Sequence, residues 1–166
     1  MHNLLADGLI DVLNNEVEIY REILKTSHDK TRIIVEGKST ELENLTRKEQ
    51  TFYFQIADLE EIREKIVVKL SQQFEKAASE MTISLIANML PQDKAQKLRI
   101  ILVELSKILK EIKENNSLNS KLIKNSLEYI DFSINLLTGA EASGNLYGNS
   151  GQTNEGRKRN FLDVKL

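Results

Sequence analysis

The sequence predicts an all-α protein: an antiparallel bundle or coiled coil of three long helices, with one short helix and a flexible C-terminal tail. Three observations lead there. Of seven glycines, five fall in the last 28 residues, and the one proline is Pro91. Glycine and proline are the strongest breakers of regular structure, so segments 9–36, 38–90 and 92–138 are free to run as helices. Within them, apolar residues recur at alternating spacings of three and four, the seam of a helix packed on helices. Composition agrees: Ala, Glu, Lys, Arg and Leu supply 72 of 166 residues, the bias of long helices.

The first helix should run from about Asn3 to Glu36. Its stripe is Ile10, Leu13, Val17, Tyr20, Leu24, Ser27, Thr31 and Ile34. Gly37 suits the position just past a helix end, where a left-handed conformation stops the helix. The second helix restarts at once, with Thr40 and Glu43 spaced as a capping box. Its stripe is Leu42, Leu45, Glu49, Phe52, Ile56, Leu59, Arg63, Ile66 and Leu70, and it should fray between Gln73 and Glu80. So short a connection makes the two helices an antiparallel hairpin. Facing residue numbers should sum to roughly 75 for a turn at Gly37, placing Leu13 opposite Ile62, Tyr20 near Phe54 or Ile56, and Leu24 near Phe52. Residues 82–90 read as a short apolar helix closing one end.

The third long helix should begin after Pro91, with Asp93 favourable in its first turn. Its stripe is Leu98, Leu102, Leu105, Leu109, Ile112, Asn116, Asn119, Ile123, Ile130 and Leu137. The polar run 114–117 resembles a loop, yet positions 102, 109, 116, 123, 130 and 137 stay seven apart across it. A loop has no reason to keep that register. The reading is therefore one helix to about Thr138 with an asparagine layer at Asn116 and Asn119, against a two-helix alternative broken near Asn116. Buried asparagines in such seams cost stability and fix register. The chain thus divides into a helical domain, 1–138, and a Gly-, Asn- and Ser-rich tail, 139–166, too poor in large apolar groups to offset ordering entropy.

Arm lengths add a geometric expectation. A last helix of about 47 residues outruns hairpin arms of about 34 and 38–41, leaving roughly 9 to 20 Å past the Gly37 turn. That surplus carries Leu127, Ile130, Ile134 and Leu137 without an intramolecular partner, and exposed contiguous apolar surface marks a partner site. A staggered bundle or a homodimer would also cover it.

Charge and motifs exclude several function classes. With 23 Lys+Arg against 25 Asp+Glu, there is no basic excess for nucleic acid or anionic lipid. The absence of cysteine removes disulfides and thiolate chemistry. No secretory signal is visible, and the longest apolar-rich patch, Met81 to Leu90, is half a membrane span, so a soluble cytoplasmic protein is expected. His2 and His28 alone could act as neutral-pH bases. His28 lies in a solvated helix-face context, His28-Asp29-Lys30-Thr31-Arg32, that does not match the H-x-x-K-G of phosphotransfer domains. No zincin, Walker A, Rossmann or nucleophile-elbow motif occurs. Carboxylate pairs such as Glu60-Glu61 stand beside Lys and Arg at helical spacing. The expectation is no enzymatic activity, no metal and no cofactor.

The tail carries a resemblance. Leu146-Tyr147-Gly148-Asn149-Ser150-Gly151-Gln152-Thr153 resembles the L-Y-G-x-x-G-Q-T segment of FlgN-type flagellar export chaperones. Asn119-x-x-Leu122-Ile123-x-x-x-Leu127, continuing to Ile134 and Leu137, is similar to that family's N-x-x-L-L-x-x-x-[LI] pattern. Arg47-Lys48-Glu49-Gln50, Leu59-Glu60-x-x-Arg63 and the basic run Arg157-Lys158-Arg159 fit its charged stretches. The resemblance implies a cytoplasmic chaperone that binds flagellar hook-associated (hook–filament junction) proteins and delivers them to the flagellar type III export gate. It implies substrate grip by the C-terminal region, with Leu122, Ile123, Leu127, Ile130, Ile134 and Leu137 as candidates, and contact of Tyr147 with an FlhA-type gate. The class-level rival is a structural or scaffolding coiled coil, homodimeric or not.

Overall fold

The computed structural model describes residues 2–144 of the chain, with side chains from 4 to 139. Among the described residues every regular element is helical: α1 (His2–Glu36), α2 (Ser39–Gln73), a 3-10 turn (Ala78–Glu80), α3 (Ile83–Met89) and α4 (Gln92–Gly144). The chain clusters into two units, residues 1–126 and 127–166. The expected tail beyond Gly144 lies outside the described residues.

In the first unit, α1 ends where the sequence says it should. Gly37 adopts φ 68°, its N–H bonds Ile34 O (3.1 Å), and the Lys38 N–H bonds Ile33 O (3.1 Å). These two bonds make a Schellman motif, which satisfies carbonyls the helix end leaves free. The predicted capping box does not form. Helix α2 already begins at Ser39, so its cap position is Lys38, which has no side-chain oxygen to offer. Thr40 is therefore inside the helix. The turn is too tight to place it outside, and Lys38 instead forms ion pairs with Glu36 (2.8 Å) and Glu41 (3.5 Å).

Two ion pairs record the hairpin register. Lys30 pairs with Glu49, and Arg63 Nε lies 3.5 Å from Glu16 Oε1; the residue numbers of each pair sum to 79. Near the open end a Cβ on Gly8 would stand 3.6 Å from Ile66, a pair summing to 74. Both helices contribute their predicted seam, including its polar members. Ile62 and Phe54 are exceptions to the expected pairings: both are exposed, beside the α2 seam and not in it.

Helix α2 ends at Gln73, where fraying was expected to begin. It stops in a second Schellman motif, with Glu75 N–H on Gln72 O (3.4 Å) and Lys76 N–H on Ser71 O (3.0 Å). Here the left-handed residue is Glu75, φ 53°, which costs a non-glycine residue roughly 1–2 kcal/mol. Helix α3 is capped by Thr82, whose Oγ1 accepts from Leu85 N–H at 3.1 Å. Pro91 O accepts from Lys94 and Ala95 at the start of α4.

Helix α4 is continuous through Asn116 and reaches Gly144, the last described residue, six residues beyond the expected Thr138. Ala140-Glu141-Ala142-Ser143 tolerates helix well. In the first unit α4 joins α1 at near-constant sequence separation. Asp7 pairs with Lys94, Arg21 with Glu104, Ser27 with Asn116 and Thr31 with Asn119, so these two helices run parallel.

The apolar core joins Leu9, Leu13 and Val17 of α1, Leu70 of α2, Ile86 of α3, and Leu98, Ile101 and Leu105 of α4. It occupies the end opposite Gly37. Toward the Gly37 end the seam turns polar. Asn119, 3% exposed, donates to Ser27 O (3.0 Å) and accepts from Thr31 Oγ1 (2.6 Å). Ser27 Oγ donates to Asn116 Oδ1 and accepts from Asn115 Nδ2, both at 2.8 Å. A buried amide with both ends satisfied avoids the penalty of an orphaned group and permits one axial register.

Burial is unequal among the helices. Of α2's side chains, Glu49, Leu70 and Ser71 are buried, while Leu45, Phe52, Leu59 and Ile66 are half-buried. Glu16 of α1 is buried with Oε1 lacking a hydrogen bond. Burial pushes its carboxyl pKa up; Arg63 opposes the shift and Glu60 adds to it.

Candidate functional site

An apolar stripe of three to four residues per two helical turns is buried only where a neighbour covers that face. Up to Asn119 α4 has such cover, on a face shifted from the predicted stripe: Leu98, Ile101, Leu105, Ile108 and Asn119 are buried, whereas Leu102 is half-buried and Leu109 exposed. In the second unit, residues 127–139 form helix and their large apolar side chains face solvent: Leu127 57%, Ile130 50%, Ile134 42% and Leu137 70% exposed. These four share one side of the helix. Ile123, in the first unit, is exposed and Leu122 is half-buried. Tyr147 lies outside the described residues.

Three residues that the seam reading passed over are equally uncovered: Tyr129, Phe132 and Leu136, all exposed. Their signal was available, since 122, 129 and 136 are seven apart and 132 falls between at helical spacing. They escaped because a single seam was followed through α4. At about 100° per residue, the seven side chains from Leu127 to Leu137 span roughly 220° of the helix circumference. Glu128, Asp131, Asn135 and Thr138 occupy the remaining strip. A surface helix carries an apolar stripe upward of about 100°, so this segment is apolar over roughly twice the arc one packing partner covers.

Chemically the segment offers contact area and shape, with no nucleophile–base pair. His28 is exposed on α1. Among the described residues there is no group of three or more His, Asp and Glu placed to hold a metal, and no helix long and apolar enough to cross a membrane. A groove of about 720 Å³ lies along α2 and the turn before α3, walled by Val67, Val68, Met81 and Ile83 and rimmed by Glu60, Glu61 and Glu64.

Comparison with known proteins places the chain among relatives. Residues 1–155 match the family described as FlgN protein. The chain is 26% identical over 136 residues to the uncharacterized protein YvyG of Bacillus subtilis (strain 168), covering 82% of each chain. No solved structure matches it.

Proposed function

The chain belongs to the FlgN family, and from that premise we propose that it is a flagellar export chaperone whose clients are hook-associated proteins, captured in the cytoplasm and delivered to an FlhA-type export gate. The observation that carries the reading is the set of seven large apolar side chains exposed between Leu127 and Leu137. Junction proteins of this kind carry terminal amphipathic helices that self-associate, and such a helix docks on an apolar strip through anchors spaced three and four apart. Leu122, Ile123, Leu127, Ile130, Ile134 and Leu137 supply that spacing. Each half-exposed Leu or Ile that a client covers contributes on the order of 1 kcal/mol.

The rest of the chain serves as the scaffold. Three long helices supply it, with the asparagine layer fixing α4 against α1. The tail beyond Gly144 closes over the client, and its Tyr147 contacts the gate. That role for Tyr147 follows from the resemblance of Leu146–Thr153 to the family segment. No small-molecule substrate, nucleic acid or cofactor enters the reading, and the membrane is approached through the export apparatus.

The test is binding of a purified hook-associated protein by titration calorimetry. The double substitution Leu127→Asp plus Ile134→Asp places two carboxylates where a client must be dry, so affinity should fall at least about 100-fold. Unchanged affinity would move the grip elsewhere. Deleting residues 145–166, past the described end of α4, should weaken binding while leaving helicity intact; a scaffolding coiled coil would show no loss.

A further inference from the structure

One client helix leaves part of the segment uncovered. Leu127, Ile130, Ile134 and Leu137 form one side of the apolar arc. Tyr129, Phe132 and Leu136 form the other, centred about 145° away. We propose that residues 157–166 of this chain fold back in cis and occupy the Tyr129–Phe132–Leu136 side.

Charge, apolar content and reach favour this occupant. Residues 127–139 contain two acids, Glu128 and Asp131, and no Lys or Arg. Residues 157–166 contain Arg157, Lys158, Arg159 and Lys165 against one acid, Asp163. Glu128 borders the Phe132 edge of the arc, within about 40° around the helix, so a basic segment lying on that edge meets opposite charge. The same ten residues carry Phe161, Leu162, Val164 and Leu166, whose burial on Tyr129, Phe132 and Leu136 supplies the apolar gain.

Reach is matched to the span. From Gly144 back to Tyr129 is 15 helical residues, about 22 Å at 1.5 Å each. From Gly144 forward to Arg157, where the docking segment begins, is 13 residues rich in Gly, Asn and polar groups, and a flexible chain of that length has a root-mean-square end-to-end distance of about 18–22 Å. Effective concentration is highest when linker length equals the distance to be spanned. A second copy of the chain must instead meet the stripe at bulk concentration.

The inference does not depend on the client reading, and its test contains no client. The chain has no cysteine, so Asp163→Cys gives a single site for a nitroxide on the full-length protein. Paramagnetic broadening of side-chain NMR signals is then compared across the arc. Preferential loss of Tyr129, Phe132 and Leu136 intensity, restored by reducing the nitroxide, is expected, and the added change of Arg157, Lys158 and Arg159 to Gln should diminish that loss. Equal or greater loss at Leu127 and Ile134, or no loss, overturns the proposal. A mixture of nitroxide-bearing chain without isotope and isotope-labelled chain without nitroxide separates the remaining occupant: broadening between molecules assigns the stripe to a second copy and also overturns it.

Discussion

Substituting Asn119 tests whether the polar layer closes as described. Asn119→Ala removes two hydrogen bonds, to Ser27 O at 3.0 Å and from Thr31 Oγ1 at 2.6 Å. At roughly 1 kcal/mol each that is about 2 kcal/mol. The truncated amide leaves a void of some tens of Å³, adding about 1 kcal/mol at ~24 cal/mol per Å³. The sum, about 3 kcal/mol, should lower the melting temperature by about 6–12 °C for a chain of this size. The comparison variant combines Ser27→Ala, Thr31→Val and Asn119→Leu. Replacing all the buried partners by apolar groups removes the desolvation cost together with the bonds. Asn115 and Asn116 are only half-buried and can turn to water. The triple variant should therefore recover at least about 2 kcal/mol relative to Asn119→Ala. Urea unfolding followed by far-UV circular dichroism measures both. A cost below about 1 kcal/mol for Asn119→Ala would mean that the layer is open to water in solution. A triple variant as weak as the single one would mean that the polar contacts contribute net stability beyond fixing register.

Further outcomes follow from other sites. Leu127→Asp plus Ile134→Asp should cost little beyond helix propensity, about 0.5 kcal/mol per site, whereas Leu13→Ala in the core should cost about 2–5 kcal/mol; a comparable drop in melting temperature for both would show that the strip is buried. Glu75→Gly relieves a left-handed non-glycine residue at the end of α2 and should stabilise by about 0.5–1 kcal/mol, while Gly37→Ala, where an added Cβ meets nothing within 4 Å, should destabilise by about 1 kcal/mol through backbone conformation alone; urea midpoints check both signs. Glu16 has a raised carboxyl pKa because it is buried, so the folded chain holds that proton more tightly than the unfolded one. Its contribution is complete below the ordinary glutamate pKa and is lost as pH rises through the folded value. Glu16→Gln should therefore flatten the decline in stability as pH rises above the ordinary glutamate range; a steeper decline would contradict that assignment.

Much of the fold is legible in the sequence because it is local. Gly37 and Pro91 delimit helices through backbone geometry, and the seven-residue phase carries α4 through Asn116 against the polar look of 114–117. Spacing likewise put Leu127, Ile130, Ile134 and Leu137 on one side of the helix, and all four are exposed; that a client grips them is the proposal the binding titration tests. Periodicity says which side chains share a face. It does not say what covers that face, because coverage depends on a neighbouring element.

That is what the tertiary structure decided. Identical-looking stripes on α1 and α2 differ in burial, with Leu9 and Leu13 buried but Leu45, Phe52 and Leu59 only half-buried. The capping box at Thr40 gave way to a tighter turn, because α2 starts at Ser39. Glu75 was left to adopt the conformation a glycine would take more cheaply. Tyr129, Phe132 and Leu136 were passed over by the seam reading; their exposure, added to that of Leu127, Ile130, Ile134 and Leu137, shows a segment apolar over most of its circumference. The spacing of side chains along a helix is set by hydrogen bonds within four residues; their environment is set by contacts between residues eighty or more positions apart, such as Thr31 with Asn119.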